Sequence, residues 1–398
     1  MNRISLLCVI AFALSGVHAE KDATGQEPKF KKQQLTDRFY CEGAHYGDFN
    51  QDGHMDIVSG PYWYQGPTFD QSHEIYTPEP FAPKSYSKNF LCFTGDFNND
   101  KWTDVFVVGF PGDESWWFEN PQNKEGHWTR HVAVSVTDNE SPWIVDVDGD
   151  GQLDLAFHSG GFYGYAAFDL EAPEQPWIFH RVSDKIAGGR FQHGYGVGDV
   201  NNDGRKDLLF AKGWLEQPDS LDGDPLWKLH EFPFAPTQGG SQMHVYDFDG
   251  DGDNDVLTSL QAHGYGLSWY ENVGKEGEID FQERKIMGAK PEDNPYGVCF
   301  TQMHSIDLAD IDRDGVLDIV TGKRFWAHNG NDPGGNDPPV LYWFKTVRKS
   351  DDSVDFVPHL IDSNSGVGTQ VTAGDISGDG RVDIVVGNKK GTFVFVQE

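Results

Sequence analysis

The residues best spaced for chemistry are aspartates. A nine-residue motif recurs seven times at intervals of roughly 50 to 65 residues. Its oxygen-bearing positions 1, 3, 5 and 9 are Asp48, Asn50, Asp52 and Asp56 in the first copy. They are Asp96, Asn98, Asp100 and Asp104 in the second, and Asp146, Asp148, Asp150 and Asp154 in the third. The fourth has Asp199, Asn201, Asp203 and Asp207, and the fifth has Asp247, Asp249, Asp251 and Asp255. The sixth has Asp310, Asp312, Asp314 and Asp318; the last has Asp375, Ser377, Asp379 and Asp383. Side-chain oxygens at 1, 3 and 5 of a tight loop converge on one point. A backbone carbonyl at 7 and the carboxylate at 9 complete a shell for a hard dication, and Ca²⁺ takes six to eight oxygens at ~2.3–2.6 Å. Glycine at position 6 permits the positive φ of the turn. The second copy has Lys101 there, so up to seven Ca²⁺ are expected, with the second loop weakest.

A second group of residues can move protons or bind polar ligands. His193, His244, His263, His304, Lys323, Arg324, Tyr195 and Tyr265 all lie in segments that enter the strand before an acidic loop or return after the strand behind it. Those segments fall on the face opposite the acidic loops. Imidazoles titrate near neutral pH, Lys323 or Arg324 could stabilise an enolate, and the aromatic rings suit sugar faces. A His-ligated transition metal is a further option. Glu140 and Glu216 keep a two-carboxylate glycosidase open. No Ser-His-Asp order or phosphate loop is present.

The elements that must position these groups are strands. Each acidic loop precedes a short apolar run such as Val105 to Val108, then an aromatic run such as Trp116-Trp117-Phe118, then a run of the type Trp128-Thr-Arg-His131. No helix-length periodicity of 3.6 residues interrupts them. Four strands per repeat and seven repeats predict an all-β fold: a seven-bladed β-propeller of four-stranded blades. The last repeat lacks its outer strand, and a spare segment, Lys29 to Phe39, precedes the first. That N-terminal strand is expected to pair with 391–397 and close the last blade.

The pattern Asp-x-Asp-x-Asp-Gly-x-x-Asp followed by Ile, Leu or Val resembles the FG-GAP or VCBS repeat, found in the propeller of integrin alpha chains. That resemblance implies a calcium-binding propeller. The Trp-Tyr-Glu-Asn and Trp-x-x-His elements more loosely resemble the propeller domain of aldos-2-ulose dehydratase, a sugar lyase.

Composition bounds the remaining possibilities. The 398 residues carry 63 acidic and 31 basic side chains, a formal charge of −32. Such a chain is not built for nucleic acid, which needs clustered Lys and Arg. Residues 1–19 read as a signal peptide, with Arg3 ahead of an apolar stretch and Val17-His18-Ala19 as the cleavage site. Residues 20–27 then form a linker and 28–398 the propeller. No later segment reaches transmembrane length. The protein is therefore expected to be exported to the periplasm, the medium or the cell surface. Cys41, Cys92 and Cys299 allow at most one disulfide. The expected function is carbohydrate or similar polar-ligand binding at the His- and Lys-rich face. The alternatives are a lyase or dehydratase acting on a keto-sugar or uronate, and a protein-adhesion module. Asn329 to Pro339 reads as either a lid or a solvated loop.

Overall fold

The computed structural model describes residues 27–398 except Glu276 and Asp352. The proposed signal peptide and most of the linker lie outside the described residues. The fold is an all-β propeller with four-stranded blades. The first blade shows the pattern: His45–Gly47, Asp56–Ser59, Tyr62–Gln65 and Gln71–Glu74 pair antiparallel in chain order. The stretches 91–134, 138–181 and 306–362 repeat it. The region 195–287 differs, because it is one eight-stranded sheet. There two four-strand runs join where Tyr195–Gly198 meets Gln242–Tyr246 in parallel, at Tyr195↔Gln242 and Gly196↔Met243. Glycine makes this close approach possible, since a Cβ on Gly196 would lie 2.4 Å from the Met243 carbonyl oxygen.

The closing sheet is built from both ends of the chain. Val371–Gly374, Asp383–Asn388 and Gly391–Gln397 supply three strands, and Phe30–Thr36 is the outer one. Its register runs from Phe30↔Gln397 to Thr36↔Thr392. The spare leading segment thus sits where its position in the repeat required.

The recurring Trp-x-x-His strand explains how blades stack. Its tryptophan packs backwards: Trp128 lies 5.8 Å from Phe49, and Trp177 lies 5.8 Å from Phe97 and 5.1 Å from Phe106 of the preceding blade. Their backbone N–H groups donate to Ile75 and Ala133 of that blade. The histidine, three residues on, stacks on its own blade's third strand. His73 covers Trp63, His131 covers Trp117, His180 covers Tyr165, His230 covers Trp214 and His359 covers Trp343, with centroids 4.0–4.9 Å apart. These histidines are structural. Each buried ring removes roughly 150–250 Å² from water, so the aromatic layers carry much of the stability. All three described cysteines are free thiols.

The outer strand seals what would otherwise be an open edge along Gly391–Gln397. Deleting residues 27–36 is expected to cause self-association in size-exclusion chromatography. A monomeric deletion variant with an unchanged melting temperature would contradict this role.

Candidate functional site

The acidic loops share one hydrogen-bond pattern. The first Asp accepts the backbone N–H of position 6, as Asp48 does from Gly53 and Asp96 from Lys101. The Asp at position 5 accepts from position 7. Lys101 takes the left-handed conformation expected for a glycine position, with φ 72°. A side chain there costs on the order of 1 kcal/mol.

Position 9 has a second job. In six loops one oxygen of this buried Asp accepts the N–H of position 2 and the other accepts an N–H at the end of the third strand. Asp207 receives Val200 and Gln217, and Asp104 receives Phe97 and Asn120. The same pairs serve Asp56, Asp255, Asp318 and Asp383. Burial pushes Asp104 and Asp154 up to about 8, and Asp207, Asp255 and Asp318 to about 7, despite these N–H groups. Neighbouring loop carboxylates add to the rise. Carboxylates crowded in this way fit a cation, and Asp146/Asp148/Asp154, Asp247/Asp249/Asp251 and Asp310/Asp312/Asp318 each bring their oxygens within 4.8 Å of one another. Three loops also hold a cation of the chain itself. Arg205 reaches Asp203 at 2.5 Å and Arg381 reaches Asp379 at 2.6 Å. In the sixth loop the Lys345 ammonium contacts Asp312 and lies 3.1 Å from Asp314.

The opposite face holds the second site. A cavity of about 710 Å³ is lined by Tyr86, Phe90, Glu140, His193, His263 and Arg324, among others. His193 and His263 of this lining meet His304 behind them, with ring centroids 4.8–5.4 Å apart. Each keeps one buried nitrogen without a good hydrogen bond: His193 Nε2, His263 Nδ1 and His304 Nε2. The other nitrogen of His304 is engaged, since Nδ1 lies 3.1 Å from the Gln302 carbonyl. That contact fixes the tautomer with a free lone pair on Nε2. Burial lowers His304 well below its usual value and brings His263 to about 4. Imidazole nitrogens brought this close are a donor set for a transition-metal ion.

Carboxylates stand beside two of these nitrogens. Glu140 Oε2 is 3.2 Å from His193 Nε2, and Asp332 Oδ2 is 3.2 Å from His263 Nδ1. Burial alone would raise Glu140, but His193 and Arg324 outweigh it and hold the carboxyl at about 2. Asp332 is fixed by Gln302 at 2.9 Å and by His328 at 3.1 Å. The backbone is bent to build this corner: Gln302, Trp326, His328 and Asn329 all have positive φ. The 329–339 insertion reaches the site through Asp332, while most of its other residues stay exposed.

The remaining candidates have other roles. Arg324 is fully buried and bonded to Glu42 through Nε at 2.9 Å and through a second nitrogen, while its Nη1 lies 3.4 Å from Glu140. Its charge is already matched. Lys323 Nζ donates to the carbonyls of Gly335 and Asp337, anchoring the insertion. Tyr195 is core: its hydroxyl lies 3.3 Å from the carbonyl oxygens of Phe157 and Gly164. Burial holds its proton well above the usual range, which unfits it for proton transfer. His244 faces Trp143 and the Ile306 carbonyl, away from the cluster. Tyr265 lies outside the cavity lining. Glu216 sits on the acidic-loop side, paired with His230 and Lys228.

The four histidines do not all share one repeat register, but two of them do. His193 and His304 both stand six residues before the first Asp of their loops, as do Glu42, Phe90 and Glu140. One position per blade therefore builds most of the mouth. Counting back from each loop would have found Glu42 and Glu140; Asp332 comes from an insertion outside the repeat and left no such signal.

Strand order, acidic loops and a polar mouth define this chain as a repeat-built β-propeller. Its repeats are FG-GAP repeats: the FG-GAP-like repeat matches residues 96–157 and 247–321, and the FG-GAP repeat matches 367–395. No curated protein matches the sequence. Among solved structures the chain is similar to an Agrocybe aegerita lectin that recognises non-reducing terminal N-acetylglucosamine. Identity is 16% over 77% of this chain and 84% of the lectin, with TM-score 0.46. It is also similar to a Bacillus licheniformis rhamnogalacturonan lyase, with 14% identity, 92% and 72% coverage and TM-score 0.44. The V. cholerae biofilm matrix protein Bap1 gives 16%, 69% and 40%, and 0.35. At these scores the likenesses assign neither ligand nor reaction. No helix among the described residues is long and apolar enough to cross a membrane.

The clamp formed by position 9 is testable apart from any ion. Asp207→Ala strands two buried N–H groups and is expected to cost about 3 kcal/mol in urea unfolding with chelator present. A loss of stability seen only with calcium would assign Asp207 to ion binding alone.

Proposed function

We propose that the chain is an exported, seven-bladed propeller that binds a neutral carbohydrate in the mouth, next to a transition-metal ion of the zinc class on His193, His263 and His304. The eight-stranded sheet counts as two blades in this reading. Calcium in the acidic loops braces the opposite face. The observation carrying the proposal is the convergence of three imidazoles beside one cavity, with His304 Nε2 unpartnered and His193 Nε2 and His263 Nδ1 each facing a carboxylate. A bound ion would supply Lewis-acid polarisation of a ligand hydroxyl or carbonyl. Arg324 is spent on Glu42 and Glu140, so the mouth offers no free guanidinium to a uronate, and a neutral sugar suits it better. Tyr86, Phe90 and Phe191 supply ring faces.

A second reading, carbon–oxygen lyase action, is favoured by Glu140, a carboxylate in the cavity lining. It would take the proton from carbon beside the sugar carbonyl, the electron pair would form the double bond, and the hydroxyl on the next carbon would leave as water with that proton.

Elemental analysis of protein purified without chelator and loaded with Zn²⁺ is expected to give one ion per chain, lost in His263→Ala and His304→Ala. Zinc content unchanged in both variants would refute the mouth site. Calcium titration is expected to give fewer than seven tight sites, with the second and sixth loops weak. Lys345→Met should add one and Lys101→Gly should tighten one. Chelator should lower the melting temperature, and an unchanged value counts against calcium.

A further inference from the structure

A second cleft, of about 910 Å³, lies beside the mouth. The two share walls. In the segment 86–90, Tyr86 and Phe90 line the mouth while Lys88 and Asn89 line the cleft. In the turn 110–114, Phe110 faces the mouth while Gly112, Asp113 and Glu114 face the cleft. The far wall is aromatic: Tyr40, Tyr76, Phe81, Trp116 and Trp128.

Two polar groups in this lining are left over. Asn89 is 2% exposed, and neither its Oδ1 nor its Nδ2 has a well-formed hydrogen bond, although the Tyr76 hydroxyl lies beside it. The Trp116 indole N–H is also buried and unpartnered. Buried polar groups ordinarily find partners, and a donor–acceptor amide next to ring faces matches the hydroxyls and the apolar face of a sugar ring. The cleft's charges are matched in part. Arg130 pairs with Glu114 while its guanidinium covers the Trp116 ring at 4.5 Å, and His127 lies 3.1 Å from Glu74. The unpartnered amide and indole suit a hydroxyl-bearing occupant, and the volume is that of a ligand site.

We propose that this cleft is a second saccharide subsite, so that the ligand is an oligosaccharide gripped at once in the mouth and over Trp116 and Asn89. The proposal rests on the carbohydrate reading of the mouth and adds chain length to it. One chain held at two sites gains affinity by effective concentration.

Calorimetric titration with glucose, xylose and mannose, and with their β-1,4-linked dimers to hexamers, tests it. Affinity for one series is expected to rise tenfold or more between dimer and hexamer. Trp116→Ala and, separately, the surface change Arg130→Ala should flatten that rise while leaving dimer affinity within twofold. His304→Ala should weaken every length. Binding that is independent of length, or a length dependence that survives Trp116→Ala, overturns the subsite while leaving the mouth reading intact. Failure of every sugar to bind at any length overturns both.

Discussion

The buried aspartate at position 9 is the contact on which the remaining geometry depends. In six of the acidic loops it ties the start of the loop to the end of the third strand by two backbone N–H bonds, as Asp207 does. A carboxylate taken out of water needs such partners. Once both oxygens are committed, the first, second and third strands cannot slip relative to one another. Register in a sheet sets which face every side chain takes. A one-residue slip would turn Glu140, His193 and His304 out of the mouth together.

The two faces therefore divide the work. The loop face is repetitive, acidic and determined by short-range hydrogen bonds. The mouth is assembled from single residues of distant blades: Glu42 meets Arg324 across 282 positions of sequence, and Arg324 meets Glu140 across 184. Such a buried cluster of opposite charges is costly unless each member is paired. Here Arg324 has two carboxylates, while Glu42 Oε1 and His304 Nε2 remain without bonds. Unpartnered buried side-chain atoms also lie elsewhere, at Asn89, Trp116 and His158 among others, but here they coincide with three imidazoles and two carboxylates.

Much of the fold was legible in the sequence because it rests on local, repeated chemistry. The acidic loops, the Trp-x-x-His strand and the missing outer strand of the last repeat each predicted an element that is present. The merging of two blades through Tyr195 and Gly196 was not legible, since it depends on how closely neighbouring inner strands converge at the axis. At the mouth, His193, His263 and His304 come together, while Tyr195 lies in the core, Lys323 anchors the insertion and His244 faces away. Residue type told which groups could react; only packing told that Tyr195 is sealed in the core and Lys323 is tied to two carbonyls. Asp332 escaped because an insertion obeys no register.

The pairing of Phe30 with Gln397 has a temporal side. These strands lie almost the whole chain apart, and contacts of such sequence separation form slowly because so much chain entropy is lost before they are made. The other blades can assemble in order as the polypeptide emerges; this one must wait for its final residues. Until then the exposed edge of Gly391–Gln397 is most open to capture by another chain, and the last step of folding is the one in which the protein is most vulnerable.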